Sequence, residues 1–207
     1  MKMRSLLFGL LTLVGTSASA QFPADNNNLF NTDVGIIVPY SPGNSSVGFG
    51  GYAEPKFNLL NYLAVGVKFE GYVAFGGRIQ GIDYGDVSFQ MTVMSGTALT
   101  ADYIAPLGGS FRPFAGIGIG RYTYASQSVS TNTVNITQEA GISWGLCPRA
   151  GIQLGAFRLS CEYNWLFKPS TYVYQQVSVG GPPVEGKLSR NYFGFKIGGV
   201  IGWKRAK

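Results

Sequence analysis

Residues 63–75 read LAVGVKFEGYVAF. Leu63, Val65, Val67, Phe69, Gly71, Val73 and Phe75 occupy the odd positions, and Ala64, Gly66, Lys68, Glu70, Tyr72 and Ala74 the even ones. A period of two means a β-strand, because successive side chains point to opposite sides of a sheet. One face is apolar and the other carries two opposite charges. The pattern leaves open which face meets water. In a soluble barrel or sandwich the apolar face turns inward; in a membrane barrel it turns outward to lipid and the charges sit in the lumen.

The same alternation recurs along the chain and predicts eight strands, at about 31–40, 47–57, 62–75, 88–105, 111–125, 138–154, 157–169 and 188–203. The sixth and seventh allow a register test. With Gly155-Ala156 as a two-residue turn, Leu154 faces Phe157 and paired numbers sum to 311. Ile152–Leu159, Ala150–Cys161, Leu146–Trp165 and Trp144–Phe167 then share one face, all apolar. Gln153–Arg158, Arg149–Glu162 and Cys147–Asn164 share the other, all polar, with Arg149–Glu162 an expected ion pair. Cys147 and Cys161 fall on opposite faces, so free thiols are expected. Pro113 and Pro148 lie inside strands and cannot donate a ladder bond; a bulge or local defect is expected at Pro148.

Connections alternate in length. Asn58–Asn61, Pro106–Ser110 and Gly155-Ala156 are short, whereas Gly76–Val87, Ser126–Thr137 and Ser170–Lys187 are longer and polar. The first connection, Ser41–Ser46, is short as well. Short turns on one rim and long loops on the other match the asymmetry of outer-membrane barrels.

The N-terminus adds a location. Lys2 and Arg4 precede an apolar run from Leu6 to Val14 and then Ala18-Ser19-Ala20, the layout of a secretory signal peptide over residues 1–20. Residues 21–207 then form one domain. No run is long and apolar enough for a transmembrane helix. Only 13% of residues are charged, against about 25% in soluble domains. Without the leader there are 16 − 2 = 14 basic and 10 acidic residues, a net +4 spread without a basic patch, so nucleic acid is not an expected partner.

The polar face is rich in Gly, Tyr, Ser and Asn, with charges able to pair: Glu54, Glu70, Asp102 and Glu162 against Lys56, Lys68, Arg149, Arg158, Arg190 and Lys196. That suits the side-chain-filled interior of a narrow eight-stranded barrel, where charges must be paired and hydrogen-bonded. The apolar face has one charged position, Arg121, placed near a strand end. Trp144, Trp165 and Phe167 fall near the long-loop rim, and Phe57, Phe157 and Trp203 near the short-turn rim; two aromatic belts suit two membrane interfaces. The expected fold is all-β, an eight-stranded antiparallel up-and-down transmembrane β-barrel. A soluble, lipocalin-like exported barrel is the alternative.

DVGIIVPYSPG at 33–43, VGFGGYAEPKFNLLNYLAVGVKFEGY at 47–72, FRPFAGIGIGRY at 111–122 and NYFGFKIGGVIGW at 191–203 resemble the small outer-membrane β-barrel proteins common in Bacteroidota, similar in architecture to the OmpX, OmpA-barrel and OmpW types. The resemblance implies residence in the cell outer membrane as a monomer. It implies outer-membrane lipid and lipopolysaccharide as surroundings, and handling by the barrel assembly machinery, which reads a terminal aromatic. Here Trp203 is followed by Lys204-Arg205-Ala206-Lys207.

Chemistry is sparse. There is no histidine, which excludes His-dependent triads and His-ligated metals. By resemblance it also excludes the barrel lipid-A deacylases, palmitoyltransferases and omptin proteases. GIGIG at 116–120 opens no helix, so it reads as relief of crowding in the lumen. Asp83 and Asp86 read as solvated loop acids. No catalytic residue, metal or cofactor is expected. A structural or surface-interaction barrel is the leading reading, and an OmpW-like channel for small or hydrophobic solutes is the runner-up.

Overall fold

The computed structural model describes residues 29–42, 45–80, 86–107, 110–130, 135–167, 171–178 and 191–203. The expected signal segment 1–20 and the 204–207 tail lie outside them. The strands are β1 Phe30–Ser41, β2 Ser46–Leu60, β3 Leu63–Gln80, β4 Asp86–Ile104, β5 Phe111–Ser130, β6 Asn135–Leu146, β7 Arg149–Leu154, β8 Phe157–Leu166, β9 Thr171–Ser178 and β10 Tyr192–Trp203. There is no helix among the described residues.

Eight strands close into a ring, β10–β1–β2–β3–β4–β5–β7–β8, and β8 pairs back onto β10. Every pairing is antiparallel. Closure leaves no unpaired edge in the ring. The stagger follows from one row of partners. Phe30 faces Phe57, then Val65, Ala101 and Ile117. In the β5–β7 register Ile117 faces Pro148, whose carbonyl accepts from the Tyr163 N–H at 3.0 Å. Tyr163 faces Phe193, which faces Tyr40. The row leaves β1 at residue 30 and returns at 40, a shift of 40 − 30 = 10 residues. Spread over eight strands, with a rise of ~3.3 Å per residue and a spacing of ~4.8 Å, that stagger tilts the strands by roughly 40°.

The β7–β8 hairpin has the register that its turn predicts, with Leu154 opposite Phe157 and Ala150 opposite Cys161. Gly155 opens the turn at φ +60°, a conformation that suits the first position of a two-residue hairpin. The expected sixth strand is β6 plus β7, broken at Cys147-Pro148. The defect at Pro148 is not a bulge. Ile119 opposite Leu146 and Gly116 opposite Arg149 both sum to 265, so the register passes through unshifted. Only the proline's missing donor interrupts the ladder. Cys147 is buried, Cys161 is exposed, and both are free thiols.

The long connections differ from expectation. Strands β3 to β6 run on into residues assigned to loops, and β9 forms inside 170–187, pairing with β6 from Ile142–Thr171 to Asn135–Ser178. These extensions are rich in Ser, Thr, Gln and Asn, residues that read as polar loop in the sequence. The expected strand over 157–169 ends at Leu166.

Burial is inverted relative to a water-soluble barrel. Lys68 and Asp102 are 0% exposed and Glu162 is 1%, whereas Leu99 is 64% and Phe49 is 63% exposed.

Candidate functional site

The alternation in each strand aims its charged residues into the bore, where they assemble in two tiers. The tier nearer the short turns joins Asp33 of β1, Glu54 and Lys56 of β2, Asp102 of β4, Arg149 of β7 and Arg158 of β8. Arg149 forks onto Glu54, with Nη1–Oε2 at 2.8 Å and Nη2–Oε1 at 2.5 Å, and its Nε donates to Asp102 Oδ1 at 2.7 Å. Bidentate charge-assisted bonds of this kind fix geometry as well as energy. Arg158 Nη2 donates to Asp102 Oδ2 at 2.7 Å, and Nη1 lies 3.1 Å from Asp33 Oδ2. Lys56 Nζ reaches Asp33 at 2.5 Å and Asp102 at 2.8 Å. Thr100 donates to Glu54 at 2.6 Å. The Phe114 ring closes this tier, 3.5 Å from the Arg158 guanidinium carbon.

The second tier is a square of alternating charge. Lys68 lies 2.9 Å from Glu162 and 3.1 Å from Glu70, and Lys196 lies 2.9 Å from both. Tyr192 donates to Glu70 at 2.8 Å, and the Asn164 amide to Glu162 at 3.0 Å. Tyr122 donates to Asn164 at 2.9 Å. The Tyr52 ring lies 4.8 Å from Lys196 Nζ. Above the square come Tyr72, whose hydroxyl meets Met94 Sδ at 3.0 Å, then Tyr124 and Leu166. Ser126, bonded to Gln90 at 2.8 Å and to Thr92 at 3.0 Å, stands closest to the long loops.

Nine of the ten residues anticipated for the polar interior are therefore buried in the bore: Glu54, Lys56, Lys68, Glu70, Asp102, Arg149, Arg158, Glu162 and Lys196. Arg190 lies outside the described residues. The expected Arg149–Glu162 ion pair is not formed. The two are Cα partners, but a narrow bore lets Arg149 reach across to β2 and β4, while Glu162 binds Lys68 and Lys196. Asp33 is a further member, beyond the residues expected from the sequence. Its signal was present, since Val34, Ile36 and Val38 facing outward put residue 33 inside.

The network has five acids and five bases among the described residues, three of each in the first tier and two of each in the second. All five carboxylates are held by cations. GIGIG leaves room for it: a Cβ on Gly116 would lie 2.6 Å from the Ala101 carbonyl and collide with the Asp102 carboxylate.

The outer wall carries the aromatics. Trp144 is 56% and Trp165 53% exposed, and Phe167, Phe57 and Phe157 also face out. The Trp203 side chain lies outside the described residues, as do those of Asp83 and Asp86. A row of partners climbs ~3 Å toward the long loops at each strand, and each residue along a strand climbs ~2.5 Å. On that scale Trp144, Trp165 and Tyr40 stand ~24–26 Å above Phe30, while Phe57 and Phe157 stand within ~4 Å of it. Arg121 is the outward-facing basic residue. It sits in the middle of β5, not near a strand end, opposite Trp144.

No family model and no curated protein matches the chain. Solved structures do. Neisserial surface protein A is 14% identical, with 84% of this chain and 96% of that one covered and a TM-score of 0.41. A major outer membrane protein from Thermus thermophilus is 15% identical, covering 84% and 99%, at 0.48. Ail, the attachment invasion locus protein of Yersinia pestis, is 13% identical, covering 84% and 95%, at 0.41. The fold assignment rests on the strand pairings themselves.

Proposed function

We propose that the chain is a small monomeric barrel of the cell outer membrane with a structural or surface-interaction role, a closed lumen and no catalytic site. Residues 1–20 are its export signal and 21–207 the barrel. Lipid and lipopolysaccharide surround it, and the barrel assembly machinery inserts it. The observation that carries the reading is the inversion of burial. Large apolar side chains cover the outer wall of every ring strand, and each one left in water forgoes about 1.5–3 kcal/mol of burial. Ten charged side chains meanwhile occupy the bore. Hydrocarbon around the barrel accounts for both. The two aromatic levels stand roughly 20–25 Å apart, close to the height of the apolar band of such barrels.

The closed lumen follows from the two tiers. Lys68, Asp102, Asn164 and Tyr122 are 0% exposed, so no water-wide bore passes them. The test is a heat-modifiability gel on detergent-extracted membranes, followed by planar-bilayer recording. A heat-shifted band in the outer-membrane fraction and no reproducible open state are expected. Recovery as a soluble protein without detergent would support the lipocalin-like reading, and a reproducible open state the channel.

A further inference from the structure

Arg121 presents a problem that the described residues do not solve. Among the described residues it is the sole charged side chain on the outer wall, and no acid faces outward near it. None of the described ion pairs or hydrogen bonds engages it. Its height is set by the register: Ile117 shares Phe30's row four strands on, and Arg121 lies four residues further, so it stands ~22 Å above Phe30. That is the level of the upper aromatics, where a membrane meets its headgroups. Three outward hydroxyls surround it. Thr97 is its β4 partner, and the next pair up is Ser95 with Thr123. Trp144, its partner on β6, walls the other side. Gly71 opposite Ser95 leaves the surface open there, since an added Cβ would find nothing nearer than 3.8 Å.

We infer that Arg121, with the hydroxyls of Ser95, Thr97 and Thr123, holds the phosphate of an anionic lipid headgroup in the leaflet on the long-loop side. The inference rests on the membrane reading above. A guanidinium offers a fork of donors that matches phosphate oxygens, and hydroxyl donors complete the cradle. The counter-ion missing among the described residues is supplied by the leaflet.

Trp144 is the reporter. The protein carrying Trp165→Phe and Trp203→Phe is reconstituted in phosphatidylcholine vesicles. A minority of the lipid is either phosphatidic acid or phosphatidylcholine, with acyl chains brominated near the headgroup. Phosphatidic acid is expected to quench Trp144 with about five-fold higher apparent affinity, the preference of one basic group at an anionic surface. Arg121→Gln should abolish the preference and Arg121→Lys should keep part of it, with the heat-shifted band unchanged in both. Equal quenching by the two lipids, or a preference that survives Arg121→Gln, overturns the inference while leaving the barrel in the membrane. If neither brominated lipid quenches Trp144, the membrane reading and the inference fall together.

Discussion

Arg149 concentrates the residue-scale physics. It is 7% exposed and satisfies two carboxylates at once, Glu54 and Asp102. Removing one partner from a buried ionic network strands the other charge, at a cost of about 3–5 kcal/mol. Arg149→Leu is therefore expected to lower unfolding stability by about that amount in a urea titration of the detergent-folded barrel. Adding Glu54→Leu should recover part of the loss, because it removes the stranded charge. Arg149→Leu with Glu162→Leu should be closer to additive, since those two share no bond. A larger coupling for Arg149 with Glu162 than with Glu54 would contradict the described network. Which charged side chains share a face was legible from parity alone, Asp33 included. Who binds whom was not: parity gives a face, whereas pairing depends on reach across the bore, which follows from strand number and stagger.

At the scale of elements, glycines separate the two sides of the wall. Gly96 on β4 faces in, and a Cβ there would lie 2.6 Å from the Tyr122 ring. Gly71 on β3 faces out, where a Cβ would find nothing nearer than 3.8 Å. Gly96→Val should destabilise the barrel by about 1–3 kcal/mol through overpacking, and Gly71→Val should be close to neutral in the same titration. Similar losses at both positions would contradict the assigned faces. Pro148 offers a second test. The Tyr163 N–H donates to its carbonyl, but the proline returns no donor. In Pro148→Ala the new amide at 148 should exchange slowly by NMR, with the Arg149–Glu162 register unchanged; fast exchange there would contradict the continuous ladder. The ring strands were readable because one face is apolar and the other is not. β9 and the upper ends of β3 to β6 were not, because their Ser, Thr, Gln and Asn content reads as loop.

Over the whole molecule, closure and stagger convert eight local alternations into one polarity: ions inside, hydrocarbon-like surface outside. Eight strands and the face of each followed from the sequence. Alternation alone left open which face turns inward; composition pointed to the charged face, and the closed ring has Lys68 buried while Leu99 stands exposed. The chain carries its own probes for this claim. Cys161 faces outward beside Ala150 and Phe195, and Cys147 is buried in the bore. A nitroxide attached to Cys161 in the lipid-reconstituted protein can be tested by power saturation against oxygen, which concentrates in hydrocarbon, and against a water-soluble nickel chelate. High oxygen and low nickel accessibility at Cys161, with Cys147 left unlabelled, is the predicted result; ready access of the nickel chelate to Cys161 would contradict it.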